Sequence, residues 1–319
     1  MSRCRVALVG AGQMGSSHAR VIADSAGADL AVVIDIDGGA AERLAARYGA
    51  SWSTDLADAA ACDAVVVAGS TSARLACVLP LLHADRPLLV EKPFAPTLAE
   101  LDQLLQVATE RDVPVMCGFV ERFNAAFRTA VQILDGPPIH LLAVRHSPPA
   151  PRIASSVVND LMLHDLDVAQ RLFGAEPATL LGSARVRPPG SPFNETADAT
   201  IAFGEHGVAT LSANRMGQRK VRSLSIHTAT QLVEVDLLRQ DVTVYRNVSQ
   251  EMALSGGGLG YRSSTEIELP FVRHSGEPLS LQFAHFLDLV AGRADHLEER
   301  RQILPAHILA EQIEAGSVG

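Results

Sequence analysis

The sequence has few cysteines and no pattern in them that would hold a metal or a disulfide frame. Cys4, Cys62, Cys77 and Cys117 are scattered without a C-x-x-C pair, so they read as reduced core thiols. No apolar run approaches the roughly 18 residues that a membrane-crossing helix needs. Basic residues are not in excess either. The formal charge is −9, and without a dense Lys/Arg surface duplex nucleic acid is not expected as a partner. No G-x-S-x-G elbow, Walker lysine loop or H-E-x-x-H occurs, which removes the usual marks of hydrolases and phosphotransferases. Aldehyde dehydrogenase chemistry would want a nucleophilic cysteine, but Cys117 ends an apparent core strand, where burial keeps a thiol inert. The start, Met1-Ser-Arg-Cys-Arg, passes directly into a strand; the expectation is no signal peptide, no membrane and a cytoplasmic location.

What remains is a chain of 319 residues, 47% hydrophobic and 20% charged. That length suggests two domains, and that composition a well-packed globular protein. The first thirty-odd residues organise the rest. Val6 to Val9 is a short apolar run that breaks into Gly10-Ala-Gly12-Gln13-Met14-Gly15. A helix-compatible segment, Gln13 to Ala23, then leads to a second apolar run ending at Asp35. This is one βαβ unit with G-x-G-x-x-G spacing. Gly10 allows the tight turn, Gly12 lets backbone approach a pyrophosphate, and Gly15 lets helix and strand pack closely. Unpaired N–H groups at the helix start then attract phosphate. Asp35 lies 20 residues beyond Gly15, where a carboxylate accepts hydrogen bonds from an adenosine ribose. Ile36 follows, with no arginine beside it to partner a 2′-phosphate. The expected cofactor is therefore NAD, not NADP.

Farther along, Gly39 to Arg47 predicts a helix stopped near Gly49. Ala64 to Ala68 predicts a strand buried on both faces. Gly69-Ser70-Thr71-Ser72 leaves the carboxyl end of that strand, where open α/β sheets place ligands. A helix over Arg74 to His83, a strand over Pro87 to Glu91, a helix capped by Thr97 with Glu100, and a strand over Val113 to Cys117 complete a doubly wound sheet. From about Gly118 the pattern changes. A helix is predicted over Phe119 to Leu134, a strand over Ile139 to His146, a stiff proline loop over Ser147 to Pro151, and a helix over Asp160 to Phe173. Six short alternating runs between Thr179 and Arg246 suggest an antiparallel sheet with one face on a helix layer. Ser255 to Tyr261 reads as a mobile glycine-rich loop, and Leu279 to Val290 and Pro305 to Ala315 as closing helices. The domains so predicted are 1–119 and 120–319.

Two groups could carry chemistry. Lys92 stands at the end of a predicted strand, where desolvation and neighbouring charge can lower an amine's pKa toward a useful range. It also fits a surface Lys–Glu pair, and position does not separate the two. The second group is Asn159-Asp160-Leu-Met-Leu-His164-Asp165-Leu-Asp167, continuing to Arg171. At helical spacing Asp160, His164, Asp167 and Arg171 share one face, and Met162, Leu166, Ala169 and Phe173 another. A solvated polar face gives the same pattern. A carboxylate one turn from His164 could instead orient its ring and stabilise the imidazolium. Asp160 and His164, without a partner motif elsewhere, do not make a metal site, and none is expected.

In order, G-A-G-Q-M-G, Asp35, Glu91-Lys92-Pro93, Glu121-Arg122-Phe123-Asn124 and Asp160-x-x-x-His164-x-x-Asp167 resemble the Gfo/Idh/MocA family of sugar and cyclitol oxidoreductases. The likeness is strong over about residues 5 to 175 and architectural beyond. It implies a Rossmann domain joined to an α/β domain with a large, mostly antiparallel sheet. It implies further that Lys92, Asp160 and His164 converge on the substrate, with His164 or Lys92 taking the hydroxyl proton. Gly10, Gly12, Gln13, Met14, Gly15, Asp35, Ser70, Thr71, Glu91 and Lys92 would bind the cofactor, Glu91 and Lys92 bordering the nicotinamide ribose. A narrower likeness, carried by Glu121 to Asn124, Arg145 to Arg152 and Val157 to Asp167, is to the UDP-N-acetylglucosamine 3-dehydrogenase branch. It makes the best expectation oxidation at C3 of a nucleotide-linked amino sugar, with Arg122, Arg145, Arg152 and Asn159 as substrate contacts. A cyclitol or free-sugar dehydrogenase, or a non-catalytic NAD-binding regulator, are the rival readings. Where the family has proline, histidine, proline and an aliphatic residue, this chain has Ser70, Arg74, Ala125 and Asn159. By analogy with this architecture a homodimer or homotetramer is expected.

Overall fold

A computed structural model describes residues 3–149, 155–174, 178–254 and 258–316. The chain forms two compact units, residues 1–120 with 276–311, and residues 121–275 with 312–319.

The first unit opens with β1 (Cys4–Val9), α1 (Gln13–Asp24), β2 (Ala28–Ile34), α2 (Gly38–Ala46) and β3 (Ser51–Ser53). It continues with β4 (Ala64–Val67), α3 (Arg74–His83), β5 (Leu88–Val90), α4 (Leu98–Glu110) and β6 (Val115–Cys117). The strands form one sheet in the order β3-β2-β1-β4-β5-β6, every pair parallel. Residues 64–67 and 88–90 are wholly buried, as an uninterrupted apolar run between two helix layers requires. Helix starts follow the sequence. Asp37 caps α2 by accepting the Ala40 amide, and Thr97 caps α4 by accepting the Glu100 amide while its hydroxyl donates to the Glu100 carboxylate.

The terminal helices correct the expected division at 120–319. α7 (Pro278–Val290), α8 (His296–Arg301) and most of α9 (Leu304–Ala315) belong to the first unit. Specific contacts hold them there. Arg20 of α1 pairs with Glu277 at 2.6 Å, Arg300 donates to the Ala108 carbonyl at 2.6 Å, and His307 accepts the Phe94 amide at 3.0 Å.

The second unit contains α5 (Ala125–Ile133), β7 (His140–His146), α6 (Leu163–Phe173) and β8 (Ala178–Val186). β9 (Thr196–Phe203), β10 (Gly207–Asn214), β11 (Val221–His227), β12 (Leu232–Asp236), β13 (Asp241–Leu254) and β14 (Gly258–Glu268) follow. The eight-stranded order is β14-β13-β12-β11-β7-β10-β9-β8, antiparallel except for β7 with β10. On β7, Leu141, Ala143 and Arg145 are buried while Leu142 alternates outward at 38% exposure. α6 packs on β7 and β10, and α5 on β12 and β13. One sheet face therefore meets helices.

Three local expectations fail. The helix predicted over 119–134 is broken at Asn124, whose side chain accepts the Ala126 amide and restarts the helix as α5 after a 3-10 turn. The helix predicted from Asp160 begins instead as a π-helical turn, Val158–Met162, which widens the backbone around Asp160. Of the predicted glycine-rich loop, residues 258–261 are strand, because β14 pairs with β13 along its length; residues 255–257 lie outside the described set, as does part of the proline loop.

Candidate active site

At the carboxyl ends of β1 and β4, the glycine loop is shaped by sterics. Gly10 has φ +104°, and a Cβ there would lie 2.5 Å from the Gly69 nitrogen. A Cβ on Gly15 would fall 1.9 Å from the Gly10 oxygen. The same atom on Gly12 would meet nothing within 4 Å. Two glycines are thus required by the protein's own packing, whereas the third keeps open space beside the start of α1. That helix has no side-chain cap and no acidic residue in its first turn, so its N–H groups remain for an anion. Gly12, Gln13 and Met14 are exposed along this turn, and Ser70 is exposed and Thr71 half-buried after β4. Asp35 follows β2 and accepts the Ala11 amide at 2.6 Å with one oxygen and the Asp37 amide at 2.9 Å with the other. A fixed carboxylate, an uncapped helix start and a glycine cradle fit a dinucleotide with a free 2′-hydroxyl.

At the end of β5, the Glu91-Lys92-Pro93 segment is pinned on several sides. Arg74, 3% exposed, donates to the main-chain oxygens of Glu91 and, at 2.9 Å, Gly69, joining the ends of β4 and β5. The Glu91 carboxylate lies 2.8 Å from Nε2 of His18 on α1 and accepts the Lys92 amide at 3.2 Å. Beyond the cis Lys92–Pro93 bond, the Phe94 amide is held by His307. Burial works against the Glu91 charge, but the His18 hydrogen bond and the charges of His18, Lys92 and Arg74 outweigh it and hold its pKa below the usual carboxylate range. Glu91 was expected to border a ribose. At 6% exposure its carboxylate is instead committed to His18 and to the lysine's backbone. Lys92 itself is half-buried.

In the second unit, Asp160 sits on the π-helical turn and His164 in the first turn of α6, both half-buried. The polar face expected around them is not a solvated stripe. Asp167 is 1% exposed and receives two nitrogens of Arg122, at 2.9 and 2.5 Å. Asp165 is 2% exposed and receives Arg145 at 2.7 to 3.0 Å, while Glu121 takes the other side of that guanidinium at 2.9 Å. Burial opposes the Arg145 charge; the two carboxylates prevail and hold its pKa above the ordinary arginine value. These pairs overturn the expectation that Arg122 and Arg145 contact substrate, since both guanidinium groups are spent inside the unit. Arg171 alone of the stripe is exposed. Asn159 is half-buried, with its backbone N–H donating to the Ser156 hydroxyl oxygen at 3.3 Å. Arg152 lies outside the described residues.

Three residues that matter to the site gave no motif. His18 could have been suspected, because a histidine beside Ala19 and Ile22 on the buried stripe of α1 needs a polar partner. Arg74 stood out only as a departure from the family pattern. Arg215, which binds Asp160, had no sequence signal.

Residues 4–119 match the family described as "Oxidoreductase family, NAD-binding Rossmann fold", and residues 138–232 match the "GFO/IDH/MocA C-terminal domain". The chain is 32% identical over 250 residues to UDP-N-acetylglucosamine 3-dehydrogenase of Acidithiobacillus ferrooxidans, covering 77% of this chain and 78% of that one. It is 28% identical to scyllo-inositol 2-dehydrogenase (NAD(+)) of Bacillus subtilis, over 90% and 86% of the two chains. A solved structure of UDP-N-acetylglucosamine 3-dehydrogenase from Acidithiobacillus ferrooxidans superposes with TM-score 0.85 at 26% identity, covering 99% of this chain and 98% of that one.

Proposed function

The chain belongs to the Gfo/Idh/MocA family of NAD-dependent sugar dehydrogenases, and from that premise we propose that it oxidises, or in reverse reduces, C3 of a nucleotide-linked amino sugar. The observation that carries this reading is the likeness to UDP-N-acetylglucosamine 3-dehydrogenase, which extends over 99% of the chain in structure.

NAD supplies the hydride acceptor. The start of α1 would hold its phosphates, with Gly12 leaving room for them, and Asp35 would accept the adenosine ribose hydroxyls. Gln13, Met14, Ser70 and Thr71 would line its rim. Lys92 or His164 takes the proton of the sugar hydroxyl, a role worth about 10²–10⁴-fold in rate. Asp160 orients the imidazole, and Asn159 contacts the sugar. The pinning of the segment around Lys92 by Arg74 at the Glu91 carbonyl, by the Glu91 carboxylate at the Lys92 amide and by His307 at the Phe94 amide supports this assignment, because a proton acceptor must be held in reach of its proton. The open face of the eight-stranded sheet, with Leu142 exposed at its centre and Leu181 and Val186 at its edge, pairs with a second copy in a homodimer or homotetramer; light scattering on the purified chain tests the assembly.

The second reading is a cyclitol dehydrogenase, favoured by the likeness to the scyllo-inositol enzyme. Following NADH absorbance with NAD and UDP-N-acetylglucosamine, inositols or free aldoses separates the two. NADH formed fastest from the nucleotide sugar supports the proposal. Faster oxidation of an inositol replaces it with the second reading, and no NADH from any of them favours a non-catalytic NAD-binding protein.

A further inference from the structure

We infer that Arg215 is a positioning residue for Asp160, acting on turnover through that carboxylate alone. This rests on the reading of Asp160 given above and goes beyond it.

Arg215 follows β10 directly, and its side chain is 3% exposed. Its guanidinium reaches three separate segments of the second unit. Nη1 donates to Asp160 Oδ2 at 3.2 Å, Nε to Glu195 Oε2 at 2.7 Å, and Nη2 to the Ser155 carbonyl at 2.8 Å. Its backbone amide also donates to the Glu195 carbonyl at 2.8 Å. Glu195 is fixed in turn by the Ser191 hydroxyl at 2.7 Å. Because a guanidinium is planar, two of these contacts set the direction of the third.

The electrostatics divide the roles. A buried cation needs a carboxylate, and Glu195 at 2.7 Å already supplies one. The longer contact to Asp160, whose side chain is 16% exposed, is not required to neutralise the arginine. What it does is fix one oxygen of Asp160 where the backbone is least regular. The π-helical turn bonds across five residues, with the Leu163 amide donating to the Val158 carbonyl. Such turns are a single widened step inside a helix and often mark functional sites. Arg215 braces this one from the neighbouring strand, and ties its approach through Ser155.

The test is a double-mutant cycle with NAD and whichever of UDP-N-acetylglucosamine and the inositols is oxidised fastest. Arg215→Gln is expected to lower kcat about 10-fold or more, the worth of a hydrogen bond to a charged group, with KM and the Kd for NADH within about 3-fold. In an Asp160→Asn background the same substitution should cost nothing further. Losses that multiply would show a general structural role and overturn the inference. Arg215→Lys keeps the charge but not the fork and should recover only part of kcat; full recovery would also overturn it. If Arg215→Gln does not fold, Arg215→Lys, which keeps a cation beside Glu195 but not the fork that reaches Asp160, enters the same cycle with the same criteria. Asp160→Asn with undiminished kcat would remove the premise and the inference together. A crystal structure of whichever of these two variants folds needs no turnover: a displaced Asp160 carboxylate supports positioning, and an unmoved one refutes it even if no substrate is found.

Discussion

Nε2 of His18 lies 2.8 Å from the carboxylate of Glu91, with His18 fully buried and Glu91 nearly so. The pair joins the helix that carries the glycine loop to the strand end that carries Lys92. Removing the imidazole leaves a buried carboxylate with poorer compensation, so His18→Ala is expected to destabilise the protein by about 3–5 kcal/mol. The midpoint of urea unfolding checks it.

The same pair predicts a pH dependence. The folded state holds the Glu91 pKa below its unfolded value, so the stabilisation is complete above the unfolded value of about 4.3 and is lost as pH falls through the lower folded one. Wild type should therefore lose stability in acid more steeply than Glu91→Gln. Unfolding midpoints measured from pH 7 down to the acid range would show the two curves approaching one another.

Gly12 and Gly15 should behave differently. A Cβ on Gly15 meets the Gly10 oxygen at 1.9 Å, while one on Gly12 meets open space. Gly12→Ala should cost only about 0.5–1 kcal/mol of stability, since alanine is a poorer helix N-cap than glycine, yet raise the Kd for NADH. Gly15→Ala should lower both stability and affinity. Calorimetric titration beside thermal melts distinguishes the two.

Arg145 and Asp165 are each all but inaccessible and bonded through three nitrogen–oxygen contacts. Arg145→Ala is expected to cost about 3–5 kcal/mol of stability by stranding Asp165 and Glu121. A variant of wild-type stability with a raised KM for substrate would restore the role that its burial removes.

How far the chain could be read depended on the range of the interaction. The glycine loop was legible because Val6 to Val9 and the three glycines impose local sterics, and Thr97 with Glu100 because a cap spans one turn. β3 and α8 escaped notice, being three and six residues long. β14 was hidden by glycines that hairpin pairing overrides. Arg122 and Arg145 were misread because their carboxylates lie 45 and 20 residues away in sequence. Spacing on one helix cannot show that Asp165 and Asp167 take different arginines. The π-helical turn at Asp160 escaped for a related reason, since Arg215 braces it from 55 residues away.

Asp35 holds the glycine loop through the Ala11 amide as well as presenting its carboxylate. Asp35→Ser should lower kcat/KM for NAD about 10–100-fold, the worth of a hydrogen bond to a charged group, and lower it less for NADP. Steady-state kinetics with both cofactors reads the ratio.

Whether Lys92 serves proton transfer in sugar oxidation is read from NADH formation with NAD and UDP-N-acetylglucosamine by wild type and by Lys92→Ala. Wild type is expected to turn over, with kcat lower by about 10²–10⁴-fold in the variant. Equal turnover by the two proteins would contradict that role.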